Sequence, residues 1–339
     1  MEIIPGLTLD EMEAEVPVVE LHPLKGKPYG EIVFMGDFHI GSHFSERQYL
    51  EYVKYILSKK GILVGGMGDY IELASLSRYS PAEQELTKIQ LEEAVRILAP
   101  LKNRIFLLLE GNHEERFWKS TKGTESVTSI LASRLRIKPL LPGPERGQLF
   151  VVKVGKGKTF QYYPVYAIHG FTSATVRKDT QLKRIFGNIR VSLIVHAHIH
   201  QIYKDHRTYY SVRRINDKFY LTCHEQYWLT TGCFVKNLGY AEKRSYPVTK
   251  IGAPFVRFYW DREGIEIVDD PRITYNIGLH EVGKPRISLS SLRRRIGLPG
   301  NHDVNSALKE YKNRMNREVG FGNSKTILGR LRRRLKLER

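Results

Sequence analysis

Residues 31–39, Glu31-Ile32-Val33-Phe34-Met35-Gly36-Asp37-Phe38-His39, set the terms for everything around them. The apolar run Ile32–Met35 has no polar alternation, so it reads as a strand buried on both faces. Glycine then opens a loop, and Asp-x-His places two ligand-type side chains on one side of an extended segment, as a chelate requires. The same order recurs downstream. Ile62–Val64 leads into Gly65-Gly66-Met67-Gly68-Asp69, and Arg104–Leu109 into Glu110-Gly111-Asn112-His113-Glu114. Val165–Ile168 leads into His169-Gly170, and Ser192–Val195 into His196-Ala197-His198-Ile199-His200.

Helical signals lie between these strands. Glu46–Lys59 carries Tyr49, Leu50, Val53, Ile56 and Leu57 at helical spacing, with Ser45 and Gln48 placed as a capping box and Gly61 as a stop. Ser80-Pro81-Ala82-Glu83 predicts a helix running to about Ala99, and a third is expected around Glu125–Leu135. Such alternation predicts an α/β core with right-handed crossovers. After residue 200 the segments Lys218–Thr222, Gly232–Val235, Pro254–Trp260 and Gly264–Val268 read as antiparallel strands and hairpins. Beyond Pro271 core signals fade, and Asp303–Val319 and Thr326–Glu338 read as basic, thinly apolar helices.

Composition narrows the class. The chain has 339 residues, 41% apolar and 27% charged, which excludes collagen-like and wholly disordered classes. Two cysteines, Cys223 and Cys233, make neither a CxxC site nor a disulfide framework and favour a reducing, cytoplasmic setting. The acidic start and the lack of a long apolar run predict no signal peptide and no transmembrane segment. Net charge is +18, and residues 284–339 hold 16 Lys and Arg against 4 Asp and Glu. A nearly neutral body with a basic appendage points to polyanions as partners.

In an open α/β sheet, ligands bind beyond the carboxyl ends of the strands, so all five motifs are expected to meet at one site. Two Asp, one Asn and four His suit Mn²⁺, Fe or Zn²⁺ better than Ca²⁺ or an iron–sulfur cluster. Seven ligands exceed one ion's need. They fit two ions ~3.5–4 Å apart that share a carboxylate, an arrangement suited to phosphoryl displacement.

The order GDFH, GDYIE, GNHE, HG, HAHIH resembles the calcineurin-like metallophosphoesterase superfamily over roughly residues 31–268. The resemblance implies an α/β fold, a four-layer αββα sandwich of two sheets flanked by helices, with a dinuclear centre on one edge. It divides the chain into an N-terminal extension (1–30), a catalytic domain (31–270) and a basic C-terminal extension (271–339). One metal would take Asp37, His39, bridging Asp69 and His200; the other would take Asp69, Asn112, His169 and His198. His113 matches the family's catalytic imidazole, a general acid toward the leaving group while hydroxide supplied by the metals attacks phosphorus. Ala197 stands where glycine is usual, and three alternating histidines leave two registers. Aligning the preceding strand makes His198 and His200 the ligands, with His196 and His198 the alternative. Glu72 is either an acceptor orienting a ligand or a solvated glutamate.

Protein phosphatases of that superfamily carry arginines in the second motif and before GNHE, and both are missing here. Arg78 and Arg116 are the candidates for a substitute phosphate grip, or else surface ion-pair residues. From Tyr203 to Trp228 the chain interleaves basic and aromatic residues, which suits base stacking or a sheet interior. The leading expectation is a phosphodiesterase acting on nucleic acid, a DNA exo- or endonuclease with two divalent ions, Mn²⁺ first. A small-molecule phosphatase or phosphodiesterase is the alternative, and a non-catalytic nucleic-acid-binding scaffold the third reading.

Overall fold

A computed structural model describes residues 15–42, 45, 48–59, 61–72, 81–120, 125–140, 146–170, 189–235, 250–269 and 275–276. Arg78, Ser80 and both basic helices expected after residue 300 lie outside the described residues.

Two sheets carry the fold. The first holds β2 (Tyr29–Met35), β3 (Leu63–Gly66), β4 (Ile105–Leu108), β11 (Phe255–Tyr259) and β12 (Ile265–Val268), in the order β12-β11-β2-β3-β4. Strands β2, β3 and β4 run parallel, and β11 joins β2 antiparallel. The second sheet holds β1 (Val18–Leu21), β5 (Gly147–Lys156), β6 (Thr159–Ile168), β7 (Leu193–His196), β8 (Tyr203–Ile215) and β9 (Lys218–Thr230), in the order β1-β5-β6-β7-β9-β8. A further short pair joins β10 (Lys250–Ile251) to β13 (Tyr275–Asn276).

The period-two geometry of a strand explains how the sheets stack. Ile32 and Phe34 of β2 face the second sheet, where they meet Phe150, Val152, Val165 and Val195 in one buried cluster. Val33 and Met35 face the other way, onto α1 (Gln48–Ser58), α2 (Pro81–Leu98) and α4 (Val127–Leu135), through Tyr52, Ile56, Ala94, Ile97 and Leu131. Both faces of β2 are therefore dry, which is why its sequence is a continuous apolar run. Among the described residues the layers are helix, sheet, sheet. On the outer face of the second sheet Val191, Ile194 and Trp228 form a small apolar cluster of their own. The two stacked sheets and the helices on the first match the α/β sandwich the resemblance implies, while among the described residues no helix covers the second sheet.

Several expectations need correction. The helix α3 (Asn112–Ser120) begins on the motif read as a loop, and β1 and β5 were not foreseen. Gly232–Val235 enters only isolated bridges rather than a strand. Ser45 gives its hydroxyl hydrogen to the Phe38 carbonyl (2.8 Å), tying a loop, and the expected capping turn at 46–47 lies outside the described residues. By contrast, Ser126 caps α4 by accepting from the Ser129 N–H (3.1 Å), and Pro81 opens α2 as expected. No described helix is long and apolar enough to cross a membrane.

Candidate metal centre

The motif residues arise at the same end of both sheets. Asp37 and His39 follow β2, Asp69 follows β3, Asn112 starts α3 after β4, His169 follows β6, and His198 and His200 follow β7. The loops hold one another by backbone bonds: Asp37 N–H donates to Gly68 O (2.8 Å), His39 N–H to Asp69 O (3.0 Å), and Phe234 N–H to Asp37 O (3.1 Å).

The turns are tight. A Cβ on Gly68 would lie 2.6 Å from the Gly111 nitrogen and 2.8 Å from His169 Nδ1, and one on Gly111 would lie 2.1 Å from Asp69 Oδ1. Eight non-glycine residues among those described have positive φ, and five of them are Asp37, His39, Asp69, His198 and His200. The other three have ordinary reasons: Arg136 ends α4, and Asn216-Asp217 turns the β8–β9 hairpin. A left-handed non-glycine residue costs on the order of 1–3 kcal/mol and persists where surrounding structure imposes it. Here that cost is concentrated on the candidate ligands.

Two groups of ligand atoms share Asp69, and a third, His39, Glu72 and His113, lies beside them, each with its atoms within 4.8 Å of one another. The first is Asp37, His39, Asp69 and His200; the second is Asp69, His169 and His198. In the first, His200 Nε2 lies 3.0 Å from Asp37 Oδ1 and 3.1 Å from His39 Nε2, which is 3.7 Å from Asp69 Oδ2. In the second, His169 Nε2 lies 3.3 Å from Asp69 Oδ2 and 3.2 Å from Asn112 Oδ1, which adds Asn112 to the set. Asp69 belongs to both groups. His196 belongs to neither: its buried ring packs against Gly170, and burial together with His169 and His198 lowers it to about 4.

Outer contacts fix which nitrogens face inward. His39 Nδ1 pairs with the Glu72 carboxylate (2.8 Å) and His169 Nδ1 with the Met67 carbonyl (2.6 Å). With each Nδ1–H donated outward, each Nε2 faces Asp69 as the nitrogen that takes a proton or a cation. Glu72 is thus an orienting acceptor and not a solvated residue. Its own carbonyl accepts from His113 Nδ1 (2.5 Å), and the His113 ring stands edge-on to His39 at 4.6 Å. His113 itself stays outside the two shared sets, with its N–H donating to Asp69 Oδ1 (3.0 Å).

Electrostatics agree with a site short of positive charge. Burial would raise Asp69, yet His169, His39 and His113 hold it well below the carboxylate range. Burial would lower His169, yet Asp69 and Asp37 push it up to about 9. Burial is likewise overcome at His200, which Cys233 and Asp37 raise well above the usual imidazole range. Asp37 Oδ1 is buried and makes no well-directed hydrogen bond, despite the His200 nitrogen 3.0 Å away. Carboxylates and imidazole lone pairs facing one another at these distances repel unless protons or cations lie between them. The donor set, oxygen and imidazole nitrogen without thiolate, fits two divalent ions of the Mn²⁺, Fe or Zn²⁺ type.

Two charged groups escaped the sequence reading. Glu114 is fully buried and accepts the N–H groups of Asp69 (2.8 Å), Gly111 (2.9 Å) and Ile71 (3.0 Å). Arg146 donates to the Gly170 carbonyl (3.3 Å) and is ion-paired with Glu115, so a guanidinium borders the loop of His169. Arg116 is exposed on α3 and makes no hydrogen bond or ion pair with any described residue.

No protein family and no curated protein matches the sequence. Among solved structures the chain is similar to Vps29 from Entamoeba histolytica complexed with zinc, at 11% identity and a TM-score of 0.31, over 70% of this chain and 96% of that one. It is similar to a predicted phosphoesterase from Streptococcus pneumoniae at 12% identity and a TM-score of 0.28, over 70% of this chain and 97% of that one. A metallophosphoesterase from Sphaerobacter thermophilus shares 14% identity at a TM-score of 0.32, over 79% of this chain and 94% of that one.

Proposed function

We propose that this chain is a dinuclear-metal phosphoester hydrolase whose substrate is a nucleic acid. The observation that carries the reading is Asp69, whose carboxylate is common to two ligand sets built from five separate strand ends. Asp37, His39, Asp69 and His200 would hold one ion, and Asp69, Asn112, His169 and His198 the other. A divalent pair held there would supply water acidified enough to attack near neutral pH and would neutralise charge on the phosphoryl oxygens.

The chain's own residues do the rest. Glu72 holds His39 in the tautomer that points Nε2 inward, and the Met67 carbonyl does the same for His169. His113, with Nδ1 committed to the Glu72 carbonyl, is left with Nε2 to deliver a proton to the leaving oxygen. Arg146 is the guanidinium anchored at the His169 loop, a position from which it can meet a phosphate oxygen. Nucleic acid is favoured as substrate by the charge of residues 284–339, 16 basic against 4 acidic.

The deciding experiment compares cleavage of labelled single- and double-stranded DNA with that of bis-p-nitrophenyl phosphate and p-nitrophenyl phosphate in Mn²⁺. Diester cleavage with DNA turnover is expected, and removal of residues 284–339 should weaken DNA affinity and flatten its salt dependence while sparing the small diester. Turnover of the monoester alone overturns the nuclease reading, and inactivity toward all four substrates with metal bound overturns the hydrolase.

A further inference from the structure

The second sheet does not end where the sandwich ends. Strand β7 pairs only with Tyr227–Thr230 of β9, whereas β9 and β8 stay paired over 13 residues each, out to the Asn216-Asp217 turn. From Glu225 outward the two strands form a ribbon with no other strand beside it among the described residues. At about 3.4 Å per residue that ribbon projects on the order of 25–30 Å. A two-stranded ribbon alone in water is marginally stable at best.

Its two faces differ. Leu229 and Tyr227 belong to the buried cluster between the sheets, and residues of the same parity, Glu225, Cys223, Leu221 and Phe219, continue that core-facing side beyond the body. Opposite them stand Thr208, Tyr210, Val212 and Arg214. Past the first sheet these side chains stand exposed among the described residues: Tyr210 is 63% exposed, Val212 67%, Phe219 72% and Leu221 70%. The reverse face is more sheltered, with Tyr209 stacked on His224 and Ser211 bonded to that ring.

We infer that this face packs against the same face of a second copy of the chain, making a two-fold dimer through the ribbon. The four apolar side chains expose on the order of 450 Å². Two copies would therefore bury on the order of 900 Å² from these residues alone, and Thr208, Cys223, Arg214 and Glu225 carry the total past the roughly 1,000 Å² a specific interface needs. Charge supports self-pairing. Arg214, ion-paired with Asp217 in its own turn, lies near the tip, and Glu225, which accepts from the Tyr227 hydroxyl, lies near the base of the same face, six positions apart in register. Antiparallel packing of two ribbons about a two-fold axis sets each Arg214 over the other copy's Glu225. Nucleic acid fits this face less well, since Val212 and Leu221 at its centre have no ring to stack on a base.

The test is sedimentation velocity of the full chain at up to about 100 µM. A concentration-dependent dimer is expected, and Leu221→Arg should raise its dissociation constant at least about 100-fold because the change counts twice. Arg214→Glu and Glu225→Arg alone should each weaken it about 10-fold, and the double exchange should restore it. Recovery by exchange separates contact from misfolding. A monomer at every concentration overturns the proposal, as does a dimer indifferent to Leu221→Arg. A monomer whose binding to duplex DNA is lost in Leu221→Arg would assign the face to nucleic acid instead.

Discussion

Substituting Glu114 by alanine removes one acceptor from three backbone N–H groups at once. Those of Asp69 (2.8 Å) and Gly111 (2.9 Å) reach Oε2, and that of Ile71 (3.0 Å) reaches Oε1. All three donors are buried. An orphaned buried N–H costs about 1–3 kcal/mol, so Glu114→Ala should lose about 3–6 kcal/mol even if a water recovers part of the deficit. That is a large share of the roughly 5–15 kcal/mol that holds a domain together. Glu114→Gln keeps one carbonyl oxygen for the Oε2 pair and turns its amide on the Ile71 N–H, for a loss of about 1–3 kcal/mol.

The size of the glutamine effect should also depend on pH in metal-free protein. Burial and the Asp69 charge raise Glu114 from 4.5 to about 7. A carboxyl raised on folding contributes stability that is complete below the unfolded value and lost as pH climbs through the folded one. Wild type should therefore lose up to about 3 kcal/mol between pH 4.5 and 7 from this group, while the amide loses nothing. The gap between wild type and Glu114→Gln is widest near pH 5 and closes or inverts by pH 8. Urea unfolding with chelator at both pH values measures it. Glu114→Ala within about 0.5 kcal/mol of wild type, or a glutamine gap that widens with pH, would refute this account of the loop.

Three further outcomes concern the site itself. Asp69→Asn should drop metal content, measured by mass spectrometry of digested protein, from about two ions per chain to below one; retention of both ions with full activity would remove Asp69 from its shared position. His113→Ala should lower kcat by about 10²–10⁴-fold with metal content unchanged, and loss of metal in that variant would make His113 a ligand. Glu72→Ala removes the acceptor of His39 Nδ1 but keeps the backbone carbonyl that holds His113, so metal affinity by titration should fall about 10–100-fold, and an unchanged affinity would return Glu72 to the surface.

The parts of the fold that could be read from sequence share one physical property. Strands β2, β3, β4 and β7 are dry on both faces, so their apolar runs stand out against anything around them. Strand β5 alternates, with Val152 and Val154 inside and Lys153 outside, and such a pattern in Gly147–Lys156 is faint beside the flanking glycines. Helix α3 is polar because its first turn belongs to the site, so periodicity could not reveal it. Among site residues, the seven candidate oxygen and imidazole ligands were visible because chemistry restricts their types. Glu114 was hidden because its partners are backbone amides, which every residue has. Arg146 stands far in sequence from every motif and meets the site through the Gly170 carbonyl, an ion pair with Glu115, and its own carbonyl, which accepts from the His169 N–H. The ribbon was legible as aromatic and basic, but where the facing sheet stops is a property of the tertiary fold.

Strand β9 connects the two surfaces that matter. Its last residue, Thr230, pairs with His196 at the metal edge, while its first, Lys218, closes the hairpin tip at the far end. Thirteen residues at about 3.3 Å each separate them by on the order of 40 Å. The proposed ribbon interface ends at Glu225, five residues or on the order of 17 Å short of Thr230 at the candidate metal edge. The two surfaces also ask opposite things of the backbone. At the metal edge, left-handed residues are held by bonds from neighbouring loops, so each ligand direction is set before any ion arrives. In the ribbon, regular pairing is unbroken over 13 registers, and the apolar side chains of Tyr210, Val212, Phe219 and Leu221 stand exposed. Strain in the first place and bare apolar surface in the second are both costs that a folded chain keeps only where something else, an ion or another copy, offsets them.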